Sequence, residues 1–208
     1  MEKARLEKIK RIFYVPFIEI NGLNDLLELG QNLFFHNKDN EMEQIGKVFN
    51  LVKRNFPSDL HNILLYLLGE LFDNISQHSN YSNCLFILSY NNELGIGRIA
   101  IMDDGISIPK AFEKKGINFK DDDEAIEMAL RGISTKIESG RGFGLSSTKK
   151  LVEKALKGMF VIISRKGIYS SGKKSSRQLN LFNGTAIYLE FRDSGKSGKN
   201  LNIYKYLE

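Results

Sequence analysis

Between Leu60 and Ser79 the chain reads LHNILLYLLGELFDNISQHS. Leu60, Leu64, Leu67, Leu71 and Ile75 recur at intervals of three and four, the spacing that puts one apolar stripe along a helix. Glu70, Asn74 and His78 stand four residues apart in the same run and so stack on one neighbouring line. A helix of this kind buries its stripe in a core while a carboxylate, an amide and an imidazole border a pocket. The usual explanation of polar residues spaced by four is a solvated face, but the apolar density around these three argues against it.

The flanking sequence supplies sheet and more helix. CLFILSY and GRIAIMD read as two strands of a hairpin through NNELG. MFVIISR and GTAIYLEF are further strands, separated by a polar loop, GIYSSGKKSSRQLNLFNG. Upstream, IFYVPFIEI reads as an extended segment that Pro16 confines to an edge or bend. NDLLELGQNLFFH is expected to be a helix capped by Asn24, and EMEQIGKVFNLVKRN is a second helix. Ser58 is placed to cap the helix that carries Glu70. Residues 105 to 139 are irregular and charged apart from a short helix at DDEAIEMALRG. GRGFGL leads into the helix SSTKKLVEKAL, which Gly158 can terminate. The expected architecture is a two-layer α/β sandwich, with a mixed, mostly antiparallel sheet covered by helices on one face.

Two glycine-rich stretches compete as a phosphate site. GIYSSGKK nearly matches the Walker loop, but Lys174 stands where a hydroxyl should hold magnesium, and no apolar helix follows. In SGRGFGLSSTKKL, Gly140, Gly142 and Gly144 alternate and a helix starts at once. Its backbone can approach an anion closely, and its amide donors and dipole face that anion.

Four pieces then fall in order along the chain: Glu70-x-x-x-Asn74-x-x-x-His78; Asp103-Asp104-Gly105-Ile106-Ser107 at the end of a strand; Gly140 through Leu145, including Phe143; and Gly184-Thr185 opening a later strand. In that order they resemble the GHKL ATPase superfamily of gyrase B subunits, heat-shock chaperone ATPases, MutL, histidine kinases and anti-sigma-factor kinases. The resemblance covers roughly residues 58 to 192. It implies the Bergerat-type ATP-binding fold, with ATP and magnesium as ligands.

Residue by residue, the resemblance makes Asn74 the magnesium ligand through its amide oxygen and Glu70 the general base toward the γ-phosphate. It gives Asp103 the adenine amino group and Thr185 a hydroxyl in the same pocket. Gly105, Ser107, Gly140, Gly142, Phe143, Gly144 and Leu145 line the nucleotide, and His78 either contacts a phosphate or caps its helix. Asp104 is the weaker choice for the adenine contact. Ser107 replaces the second glycine of its motif and is expected to reshape the wall there. Ile106 to Ser139 would be the lid over the phosphates, with Lys136 the candidate to reach the γ-phosphate.

Around this core, residues 1–57 form an N-terminal extension suited to a partner or dimer contact, 58–192 the ATP-binding domain and 193–208 a short tail. The net charge of +5 is mild. Positive residues gather at the N-terminus and from Arg165 to Arg177, where only Tyr169 is interleaved, which counts against a nucleic-acid stacking surface. No run reaches the roughly 18 apolar residues of a membrane span. The lone cysteine, Cys84, fits a reducing compartment. The expectation is a cytoplasmic protein that binds ATP and acts on or through a protein partner. His36, the only histidine upstream of that helix region, lacks the proline context of a phosphoacceptor, so two uses of ATP stay open: catalysis as an ATPase or protein kinase, and a nucleotide-gated binding module.

Overall fold

The computed structural model describes residues 31–36, 41–133, 144–171, 181–193 and 203–206. Six strands form one sheet: β1 (Gln31–His36), β2 (Asn83–Asn91), β3 (Ile96–Asp103), β4 (Met159–Arg165), β5 (Gly167–Ser170) and β6 (Phe182–Arg192). Their order across the sheet is β1-β2-β3-β6-β4-β5. Every pairing among them is antiparallel, so the sheet is simpler than the mixed one expected.

Among the described residues five helices accompany it: α1 (Glu41–Asn55), α2 (His61–Asn74), α3 (Ile108–Lys114), α4 (Asp122–Leu130) and α5 (Gly144–Lys150). The helices α2 and α5 each run on into one π-type turn, over Ile75–Ser79 and Leu151–Ala155. The apolar stripe predicted on α2 is the centre of the core. Leu60, Leu64, Leu67 and Leu71 are buried against Phe86, Ile99, Ile101, Phe160, Ile162, Ile187 and Leu189. These strand residues share one face of the sheet by their period of two. Burying each leucine contributes on the order of 1.5–3 kcal/mol.

The opposite face is buried as well at Leu85, Ile87, Ala100, Met102, Val161, Ile163 and Tyr188. There Arg98 bridges Glu190 at 2.7 Å, and the Tyr188 hydroxyl donates to the same carboxylate at 2.8 Å.

Several local expectations are corrected. The run QNLFFH is a strand, paired residue for residue with β2 from Gln31↔Leu88 to His36↔Asn83; its apolar triplet fits either period, and the exposed edge of β2 decides. Asn24 and IFYVPFIEI lie outside the described residues. Ser58 is not a cap: residues 58–60 form a 3-10 turn with no side-chain cap bond, and α2 follows directly from Leu60. At the end of the α5 segment the left-handed residue is Lys157, at φ 49°. Gly158 follows it, where a Cβ would meet the Glu190 carbonyl oxygen of β6 at 2.4 Å. The polar loop after β4 begins with a short strand, β5. The charged region 105–139 holds α3 as well as the expected α4.

Both of those helices are pinned to the β4–β5 turn. Arg165 reaches the Asp122 carboxylate through Nε at 2.9 Å and Nη2 at 2.6 Å, and Glu113 through Nη1 at 2.6 Å. Asp122 also accepts the Lys166 amide at 3.0 Å, and Asp123 that of Ile168 at 2.8 Å. The expected lid is therefore a packed part of the domain as far as α4. Arg165, counted among the basic residues of a charged loop, has its guanidinium engaged by two carboxylates.

Candidate active site

The C-terminal end of α2 faces the place where β3 finishes and β6 begins. Between them is a cavity of about 280 Å³. Its lining includes Glu70, Asn74 and His78 from the α2 segment, Asp103 from β3, Gly144 and Leu145 from α5, and Thr185 from β6. The three residues spaced by four therefore do face a pocket, and residues from three other motifs meet them there.

Each side chain is held by a local device. The Asn74 amide nitrogen donates to the Glu70 carbonyl oxygen at 2.9 Å, which fixes the flip and turns the amide oxygen the other way. Gly144 packs against that amide: a Cβ there would lie 2.6 Å from Nδ2 and 3.0 Å from Oδ1. Across one helical turn, the Tyr66 hydroxyl faces Glu70. Burial, with that carboxylate beside it, pushes the Tyr66 phenol up to about 12.

The two aspartates that end β3 have different duties. Asp104 is saturated by the start of β2. Its carboxylate accepts the Ser82 and Asn83 amides at 2.8 and 2.7 Å and the Asn83 side chain at 2.6 Å. Asp103 is 2% exposed, and its Oδ1 accepts the Gly105 amide at 2.9 Å. Burial raises its pKa to about 7, with the Asp104 charge adding to the rise and hydrogen bonds from Gly105, Ser79 and Thr185 opposing it. A carboxyl poised near neutrality at the floor of a cavity is the kind of group that function tends to use.

Gly105 lies just past Asp103, with its backbone against Ser79, whose carbonyl accepts the Ile106 amide at 2.5 Å. Ser107, expected along the nucleotide wall, is buried and is not among the lining residues. Its hydroxyl caps α3 by accepting the Lys110 amide at 3.4 Å. Thr185 is paired with Asp103 across β3 and β6. The preceding Gly184 has φ 109°, and a Cβ there would come within 1.9 Å of the Asp103 carbonyl oxygen. Only glycine lets the strand pass so close at that angle. Lys136, Gly140, Gly142 and Phe143 lie outside the described residues.

Sequence reasoning passed over Asp73 and Gln77, which also line the cavity, and Tyr66 and Ser164 beside it. Asp73 and Gln77 carried a signal, since they repeat the four-residue spacing one position away from the chosen line. Apolar side chains complete the lining, among them Ile101, Ile106, Ile108, Phe112 and Ile187. One wall is thus apolar enough for a flat ring, while the other presents an amide, a carboxylate and an imidazole.

This arrangement has a family. The description "Histidine kinase-, DNA gyrase B-, and HSP90-like ATPase" matches residues 60–195, well over half the chain. The protein belongs to this family, and its domain is an ATP-binding domain of the GHKL type. A comparison with curated proteins gives no match. Among the described residues no helix is long and apolar enough to cross a membrane.

Proposed function

We propose that this protein binds ATP with magnesium in the cavity between α2 and the sheet and moves the γ-phosphoryl group to water or to a protein hydroxyl. The observation that carries the reading is the convergence of Glu70, Asn74, Asp103 and Thr185 on one cavity.

Adenine fits the buried end. Asp103 accepts the amino group there, and apolar side chains such as Ile101 and Ile187 flank the ring. A guanine would set a carbonyl oxygen against the carboxylate and be rejected. The phosphates then lie toward α2 and the start of α5.

Asn74 suits magnesium because its amide nitrogen is committed to the helix and its oxygen is the outward acceptor. Among the described residues no group of three or more His, Cys, Asp or Glu side chains forms a metal cage. An ion that arrives with the phosphates would keep water and amide oxygens as ligands. When bound, it would neutralise phosphate charge. Glu70 stands one turn before Asn74, where its carboxylate orients and deprotonates the attacking hydroxyl. Tyr66 faces that carboxylate from the previous turn and helps hold it. His78 contacts a phosphate or favours the helix end, and Lys136 is proposed to reach the γ-phosphate.

A second reading rests on a different contact. Glu41, at the start of α1, accepts hydrogen bonds from Ser76 and from the Tyr81 hydroxyl, so residues ahead of the ATP-binding domain grip the turn that carries His78. Nucleotide binding that shifts this turn would be transmitted to the 1–57 segment and to a partner or second copy bound there.

Incubation with γ-labelled ATP and magnesium separates the two. Label released as phosphate identifies an ATPase, and label on an added protein identifies a kinase. Bound ATP with no movement of label overturns catalysis and leaves the gated module.

A further inference from the structure

Ser164, near the end of β4, is fully buried and lines no part of the cavity. Its hydroxyl oxygen nonetheless has three polar neighbours. The Ile108 amide donates to it at 2.9 Å, the Gly184 carbonyl oxygen lies at 3.0 Å, and the Thr185 hydroxyl lies at 2.9 Å. These three contacts hold together the start of α3, the end of β4 and the start of β6.

A count of protons orders these bonds. The Ile108 N–H can only donate, and the Gly184 carbonyl can only accept. Ser164 has one proton, and it donates to the Gly184 carbonyl oxygen at 3.0 Å. Either hydroxyl could donate in the Ser164–Thr185 bond, so with the Ser164 proton on that carbonyl the bond takes the proton of Thr185. With its hydrogen committed inward, the Thr185 oxygen offers only lone pairs to the cavity. Asp103 Oδ1 is likewise an acceptor, with the Gly105 amide already upon it.

From this we infer that Ser164 is a specificity-setting positioning residue: it locks the Thr185 hydroxyl as an acceptor, so that the pocket takes a base presenting an amino donor and refuses one presenting a carbonyl. The inference rests on the nucleotide reading above and adds to it the polarity of the base edge and the residue that sets it. Without Ser164 the Thr185 hydroxyl is free to turn its proton toward the ligand and to donate to a carbonyl.

The test compares ATP with inosine triphosphate, which has a carbonyl in place of the amino group. Dissociation constants are measured by calorimetry on the full chain. The unsubstituted protein is expected to prefer ATP, and Ser164→Ala to narrow that preference about tenfold, the worth of roughly one hydrogen bond. Thr185→Val should narrow it comparably, and the double variant should add nothing further. Equal weakening of both nucleotides in Ser164→Ala means a merely structural role and overturns the inference. So does equal binding of the two by the unsubstituted chain. Binding of neither removes the nucleotide reading and this inference together.

Should Ser164→Ala fail to fold, proton NMR of the unsubstituted protein decides instead. A slowly exchanging Thr185 hydroxyl proton close to the Ser164 side chain supports the assignment. A Ser164 hydroxyl proton pointing at Thr185 overturns it.

Discussion

Asn74 and Gly144 touch: a Cβ built on the glycine would sit 2.6 Å from the asparagine amide nitrogen. The contact joins two motifs that are 70 residues apart in sequence, and it leaves no room for a side chain at the head of α5. Gly144→Ala should therefore displace the amide. The atom struck is the far end of a side chain, so the fold should lose only about 1–2 kcal/mol, while magnesium-dependent ATP affinity falls at least roughly tenfold. Calorimetry with and without magnesium, beside a thermal melt, checks both halves.

Glu70→Ala should separate binding from turnover. ATP affinity is expected to stay within about twofold, and phosphoryl transfer to drop by roughly 10²–10⁴, the usual contribution of a general base. An unchanged rate would remove Glu70 from the chemistry.

The buried Asp103 carboxyl makes the free protein pH-sensitive. Its pKa is about 7 in the fold against an ordinary 3.8, so the native state holds the proton more tightly than the unfolded chain. Stability from this group is complete below about pH 4 and is lost as pH rises through 7, by at most ~4 kcal/mol. Denaturation in urea from pH 4 to 8 should show that fall, and Asp103→Asn should flatten it. ATP acts in the opposite sense, because an amino donor favours the ionised carboxylate. Its apparent affinity is expected to rise between pH 6 and 8.

Gly184→Ala combines a disfavoured φ of 109° with a Cβ placed 1.9 Å from the Asp103 backbone oxygen. A loss of about 3 kcal/mol or more is expected, visible as a large drop in melting temperature.

Where one physical signal dominated, the sequence was readable. The α2 stripe is unbroken because that helix faces the sheet along its whole length, and the line of Glu70, Asn74 and His78 could be placed at a pocket for the same reason. QNLFFH failed because three apolar residues fit a helix or a strand, and only the open edge of β2 settles which. The helix α3 was legible but missed: Ser107 followed by Pro109 is a cap with proline in the first turn. The roles of Ser164 and Asp104 were out of reach, since each is defined by partners far along the chain. The glycine loop up to Phe143, with Lys136 before it, lies outside the described residues.

Asp103 and Asp104 stand side by side, yet one is spent on joining β3 to β2 and the other is left at the cavity. A survey scoring only lost activity would rank Asp103→Asn and Asp104→Asn alike. A survey of soluble yield would divide them, with Asp104→Asn poorly produced because three donors lose a charged acceptor and Asp103→Asn produced normally but inert. For a protein designer, a doubled aspartate of this kind is two separate knobs, one set in the joint between β3 and β2 and the other at the border of the pocket.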